Sequence, residues 1–68
     1  MEDTVYKQVE LVGSSTDSIE AAVEGAIARA STTVRNMRWF EVKSVRGGLE
    51  DDRIAEWQVT VSVAFALD

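Results

Sequence analysis

From Ile54 to Leu67 the chain alternates almost without a break. Trp57, Val59, Val61, Val63, Phe65 and Leu67 fall on one side, and Gln58, Thr60, Ser62, Ala64 and Ala66 on the other. A period of two is the signature of a strand with one apolar face, and this stretch predicts a long one. Thr4 to Val12 reads T-V-Y-K-Q-V-E-L-V, rich in β-branched and aromatic residues, and predicts a first strand closed by a turn at Gly13. Val5, Val9 and Leu11 share one face of it, interrupted by Lys7, and the face of Tyr6, Gln8 and Glu10 is mostly polar. Between these strands the period changes. Ile19, Ala22, Val23, Ala26, Ile27, Ala30 and Val34 recur at spacings of three and four, which predicts a helix. Asp17 and Glu20 have the spacing of an N-cap and its reciprocal carboxylate, and Ser31-Thr32-Thr33 is where the helix is expected to fray. Arg38 to Arg46 predicts the remaining strand, with Trp39, Glu41, Lys43 and Val45 on one face and Phe40, Val42, Ser44 and Arg46 on the other. Gly47 to Asp52 is expected to be a hairpin loop longer than two residues.

The order strand, helix, strand, strand constrains the architecture. A helical crossover makes strands one and two parallel, and a short hairpin makes strand three antiparallel to strand two. Placing the long third strand in the middle gives an antiparallel sheet of order 1-3-2 in an α+β domain spanning residues 1–68. The apolar face from Trp57 to Leu67 is expected to lie under the helix, with Trp57 as a core residue. The face of Gln58, Thr60, Ser62, Ala64 and Ala66 has no helix left to cover it, and packing of subunits there would bury it.

Composition narrows the chemistry. A chain of 68 residues forms a thin core, and small domains compensate with disulfides, metals or self-association. With no cysteine and no histidine, a transition-metal site would rest on carboxylates alone, and self-association is the expected route. The same two absences remove the thiolate nucleophile and the imidazole base, so an enzyme is not expected. Seven basic residues against twelve acidic ones give a net charge of −5, which disfavours nucleic acid and anionic membranes as partners. The acidic start Met1-Glu2-Asp3 lacks the basic opening of a signal peptide, and no apolar run approaches the length of a membrane span, so a cytoplasmic location is expected. Glu50-Asp51-Asp52 is read as solvated charge. Glu41 and Lys43, two apart on one strand, are candidates for an ion pair between subunits.

Four stretches together resemble the dodecins, small flavin-binding proteins. They are V-Y-K-Q-V-E-L-V-G-S-S near the start, I-E-A-A-V-E-G-A-I-A-R-A-S-T-T-V-R-N in the helix, R-W-F-E-V from Arg38 to Val42, and W-Q-V-T-V-S-V-A-F at the end. The resemblance covers nearly the whole chain. It implies a hollow homododecamer holding flavins in pairs at two-fold-related sites between subunits. It also implies that Trp39 stacks on the isoalloxazine and that Gln58 hydrogen-bonds the pyrimidine-like end of the ring.

Those roles are physically reasonable. Stacking on an aromatic side chain contributes about 1–3 kcal/mol per base in comparable sites. A carboxamide offers donors and acceptors in one plane, which can match an N–H beside a carbonyl. For FMN, a phosphate in an acidic protein calls for Arg38, Arg46 or Lys7, with Arg46 preferred for its place near the end of the strand that carries Trp39. Tyr6 completes the candidate cofactor-binding set. The expected function is binding, storage and sequestration of a flavin, FMN or riboflavin. A flavin-dependent oxidoreductase and a ligand-free shell are the alternatives.

Overall fold

The computed structural model describes residues 3–67; Met1 and Glu2 of the acidic start lie outside the described residues. Strand β1 (Val5–Ser15) is followed by helix α1 (Ile19–Ala30), strand β2 (Met37–Glu50) and strand β3 (Arg53–Leu67). The sheet has the order β1-β3-β2, and β3 pairs antiparallel with both neighbours. The expected β-α-β-β order and sheet are therefore present, and what differs lies at the joins.

The core is small because the helix covers only part of the sheet. Val59, Val61 and Val63 on β3 are fully buried against Ala22 and Ala26 of α1. Each such valine stabilises the fold by about 1.5–3 kcal/mol relative to an exposed one. Val9, Leu11, Ile19, Val23, Ile27 and Met37 close the margin. Trp57 shares their face but is only half-buried and stands outside this cluster, because the helix ends short of its part of the sheet.

Alanine on the helix and glycine on the strand set how closely the two layers approach. β1 does not turn at Gly13 but runs on to Ser15, with Gly13 opposite Val59. A Cβ added at Gly13 would stand well inside contact distance of the Ala22 carbonyl oxygen and 3.0 Å from the Ala26 Cβ. The turn comes two residues later than expected. There the Ser15 hydroxyl accepts from the Asp17 N–H at 2.9 Å and the Ser18 N–H at 3.4 Å. Ser18 rather than Asp17 is the N-cap, in extended conformation, and its Oγ accepts from the Ala21 N–H at 3.0 Å. Glu20 is therefore in the first turn, where the helix dipole favours it, but one position short of the reciprocal carboxylate.

Helix α1 stops at Ala30 where hydroxyls begin to compete for its carbonyls. Ser31 Oγ donates to Ala28 O at 2.6 Å and Thr32 Oγ1 to Arg29 O at 2.8 Å. Asn36, with φ 63°, then redirects the chain into β2. The β2–β3 hairpin also departs from expectation, since Gly47 and Gly48 lie within the ladder opposite Trp57 and Glu56. The loop is only the two residues Asp51 and Asp52, with φ 52° and 62°. Positive φ at both central positions is the twist-matched geometry of a two-residue hairpin, and short polar side chains tolerate it.

Candidate functional site

Two bulges in β2 decide which of its side chains face together. Trp39 pairs with Ala64 and Phe40 with Val63, but Met37 pairs with Phe65, which leaves Arg38 as an extra residue. A second step between Val42 and Ser44 leaves Lys43 as another. Trp39, Glu41, Ser44 and Arg46 consequently lie on the side of Ala64, Ser62, Thr60 and Gln58, while Phe40, Val42 and Val45 lie on the helix side. Regular alternation would have put Arg46 with Phe40; the bulge at Lys43 brings it to the face of Trp39. It also takes Lys43 out of step with Glu41, which instead accepts from Gln8 Nε2 at 3.3 Å.

The face away from the helix is not bare. Ser62, Ala64 and Ala66 of β3 are buried within the single chain, because longer side chains on the outer strands lean over them. The Gln8 to Glu41 hydrogen bond crosses the central strand near Ser62 and Ala64. Tyr6, opposite Ala66, and Trp39, opposite Ala64, meet edge to face with ring centroids 4.7 Å apart and planes at 61°. The contact fixes the indole's tilt, yet Trp39 stays 44% exposed, which leaves ring surface free for a ligand.

The second group of polar side chains lies further along the same face. Arg46 Nε donates to Gln58 Oε1 at 3.0 Å, and its Nη1 donates to Thr60 Oγ1 at 3.2 Å and Ser44 Oγ at 3.4 Å. Gln58 Nε2 donates to Glu56 Oε2 at 2.7 Å. A carboxamide has two N–H groups and two acceptor lone pairs, so Gln58 keeps one of each for a ligand. Among the described residues, no buried side-chain nitrogen or oxygen lacks a partner.

Within one chain the indole and the carboxamide are far apart. Gln58 and Ala64, the β3 residue opposite Trp39, are six residues apart on one strand, a rise of about 20 Å at roughly 3.3 Å per residue. The elongated shape of the chain, with principal extents of 56 × 20 × 13 Å, keeps the two ends from folding back on each other. The predicted site residues thus divide in two. Trp39 and Tyr6 form one group, and Gln58 and Arg46 the other. Arg38, at its bulge, lines a hollow with Ile27, Met37, Trp39, Phe40 and Val63 beside the indole. Lys7 sits opposite Phe65 on the helix side of the sheet, away from both groups. Glu56, Ser44 and Thr60 were not expected. Glu56 and Gln58 are two apart on a strand and share a face, which was the available signal for Glu56.

A separate apolar trough of about 840 Å³ runs between α1 and β2, lined by Ile19, Val23, Ile27, Phe40 and Val42 among others. It exists because α1 lies over β1 and β3 and leaves the helix side of β2 open. Phe40, Val42 and Val45 are each about half exposed there. Among the described residues no helix is long and apolar enough to cross a membrane.

Comparison with known proteins agrees with this architecture. Residues 5–68 match the family model described as Dodecin. A curated dodecin of Thermus thermophilus is 48% identical over 64 residues, which cover 94% of this chain and 93% of that protein. Among solved structures, dodecin from Streptomyces coelicolor superposes with a TM-score of 0.93 at 44% identity, covering 100% of this chain and 97% of its own. Dodecin from Streptomyces davaonensis gives 0.92 at 45% identity, covering 98% of each chain.

Proposed function

This chain belongs to the dodecin family, and from that membership we propose that it binds, stores and sequesters a flavin, FMN or riboflavin, at sites between the subunits of a homododecamer. The observation that carries the reading is the division of the site residues along one sheet face. Trp39 offers an exposed ring held at a fixed tilt by Tyr6, and Gln58 offers one free N–H and one free lone pair. Because about 20 Å of β3 separates them, a ring stacked on Trp39 of one subunit meets Gln58 of another. The site is complete only in the assembly. The open trough and the exposed Phe40, Val42 and Val45 support that assembly, since a thin core leaves these side chains to be buried by other copies.

A flavin, when bound, would supply an electron-accepting excited state, and the Trp39 indole that would hold it is an electron donor suited to quenching that state. The protein's own residues hold, orient and shade the ring. The chain has no histidine or cysteine, and the carboxylate at Glu56 is engaged by Gln58, so the site is read as one for storage rather than turnover. The FMN phosphate is assigned to Arg46 or Arg38, whose guanidinium groups offer paired donors. A cytoplasmic location is part of the same proposal.

The test is a fluorescence titration of FMN on protein whose particle mass is fixed by light scattering. Saturable quenching on a dodecameric particle, lost in Trp39→Ala, is the expected result. A monomeric particle, unquenched flavin, or flavin-dependent oxidation of a reduced nicotinamide would overturn it.

A further inference from the structure

Gln58 is useful to a ligand only if its amide points the right way round, since the nitrogen and oxygen ends present opposite chemistry. Two charged neighbours decide the matter. Arg46 is only a donor and ionised Glu56 only an acceptor, so Oε1 must face Arg46 and Nε2 must face Glu56, as their bonds of 3.0 Å and 2.7 Å have it. Turned over, the amide would set donor against donor and acceptor against acceptor at both ends. Room for the carboxylate is made by Gly48, which pairs with Glu56. A Cβ there would come 3.3 Å from Glu56 Cγ and 3.8 Å from Oε2.

We propose that Glu56 is a positioning residue that locks the Gln58 carboxamide, so that the site selects rings presenting an imide N–H beside a carbonyl. This deepens the flavin reading above and rests on it. In the locked orientation the free Oε1 lone pair receives the ligand's N–H while the free Nε2–H reaches its neighbouring carbonyl. A ligand methylated at that nitrogen offers no donor to Oε1 and sets a methyl group against it, so it cannot make the paired contact that the lock provides.

The experiment compares riboflavin with N3-methylriboflavin by fluorescence quenching, on wild type, Glu56→Ala and Glu56→Gln, each shown by light scattering to form the same particle. The wild type is expected to prefer riboflavin. Glu56→Ala is expected to weaken riboflavin about tenfold, the worth of an oriented hydrogen bond, and to leave N3-methylriboflavin unchanged, so that the preference falls. Glu56→Gln, whose own Oε1 can accept from Gln58 Nε2, is expected to restore most of the preference. An unchanged preference in Glu56→Ala, or an equal loss for both flavins, overturns the lock while leaving the flavin site standing. Wild-type protein that quenches neither flavin overturns the flavin reading itself, and the lock with it.

Discussion

If a flavin is held by Trp39 of one subunit and Gln58 of another, two defective chains should repair each other. Trp39→Ala removes a stacking surface worth about 1–3 kcal/mol, which weakens binding roughly 5- to 150-fold. Gln58→Ala removes the paired donor and acceptor at the other end. When equal amounts of the two variants are unfolded together and reassembled, a site is intact only if its Trp39 comes from a Gln58→Ala chain and its Gln58 from a Trp39→Ala chain. Each condition holds half the time, so about a quarter of the sites should regain wild-type affinity. The assay is riboflavin quenching at a concentration that saturates the wild type but neither variant, with light scattering to show that the mixed particles have reassembled. Chains carrying both substitutions, mixed with either single variant, give the background. A mixture that quenches no more than the mean of its two components would place both residues at one ligand within one chain, and would refute the argument from the length of β3.

Further expectations concern the scaffold. Gly13→Ala should destabilise the fold by about 2–3 kcal/mol or more in a urea melt, because the new methyl group meets a helix carbonyl and must push α1 off the sheet. Unchanged stability would mean that α1 is not seated there. Gly25→Ala is the internal control, since a Cβ at Gly25 meets nothing within 4 Å and its backbone φ is not positive; here about 0.5–1 kcal/mol of added stability is expected from helix propensity. Asp52→Gly should stabilise the hairpin by up to about 1 kcal/mol, read as a rise in the urea midpoint, by relieving a left-handed non-glycine residue.

What the sequence allowed to be read followed from unbroken periodicity. The alternation of β3 and the three-four spacing of α1 were long enough to fix the element types, and the sheet order followed from connection lengths. Errors arose wherever backbone geometry, not side-chain pattern, decides the outcome. Gly13 reads as a stop, yet it is there so that a helix can approach a strand that continues. Gly47-Gly48 reads as a turn, yet the turn is made by Asp51 and Asp52, which accept positive φ without being glycine. A bulge leaves no trace in a hydrophobic pattern of nine residues, so Arg46 reads as facing with Phe40 when it faces with Trp39. Trp39 and Gln58 were nameable only through the family resemblance. Their separation along the face, and the part of Glu56 in holding Gln58, depend on register and side-chain contacts that a sequence pattern does not carry.

The bulge at Lys43 also bears on how chains of this kind tolerate changes in length. Trp39 and Arg46 are seven positions apart, an odd interval that a straight ribbon would send to opposite sides. Excising Lys43, the bulged residue, would preserve every side chain named in the site and straighten the strand. The guanidinium would stay beside Gln58 without any slide of the hairpin, because the pairs flanking the bulge, Val42 with Val61 and Ser44 with Thr60, are already consecutive along β3. For this strand, counting residues between landmarks is as informative as identifying them. A homologue with matching residues and an even interval should be read as the same facing reached by an unbulged strand, and one with an odd interval as requiring a bulge of its own.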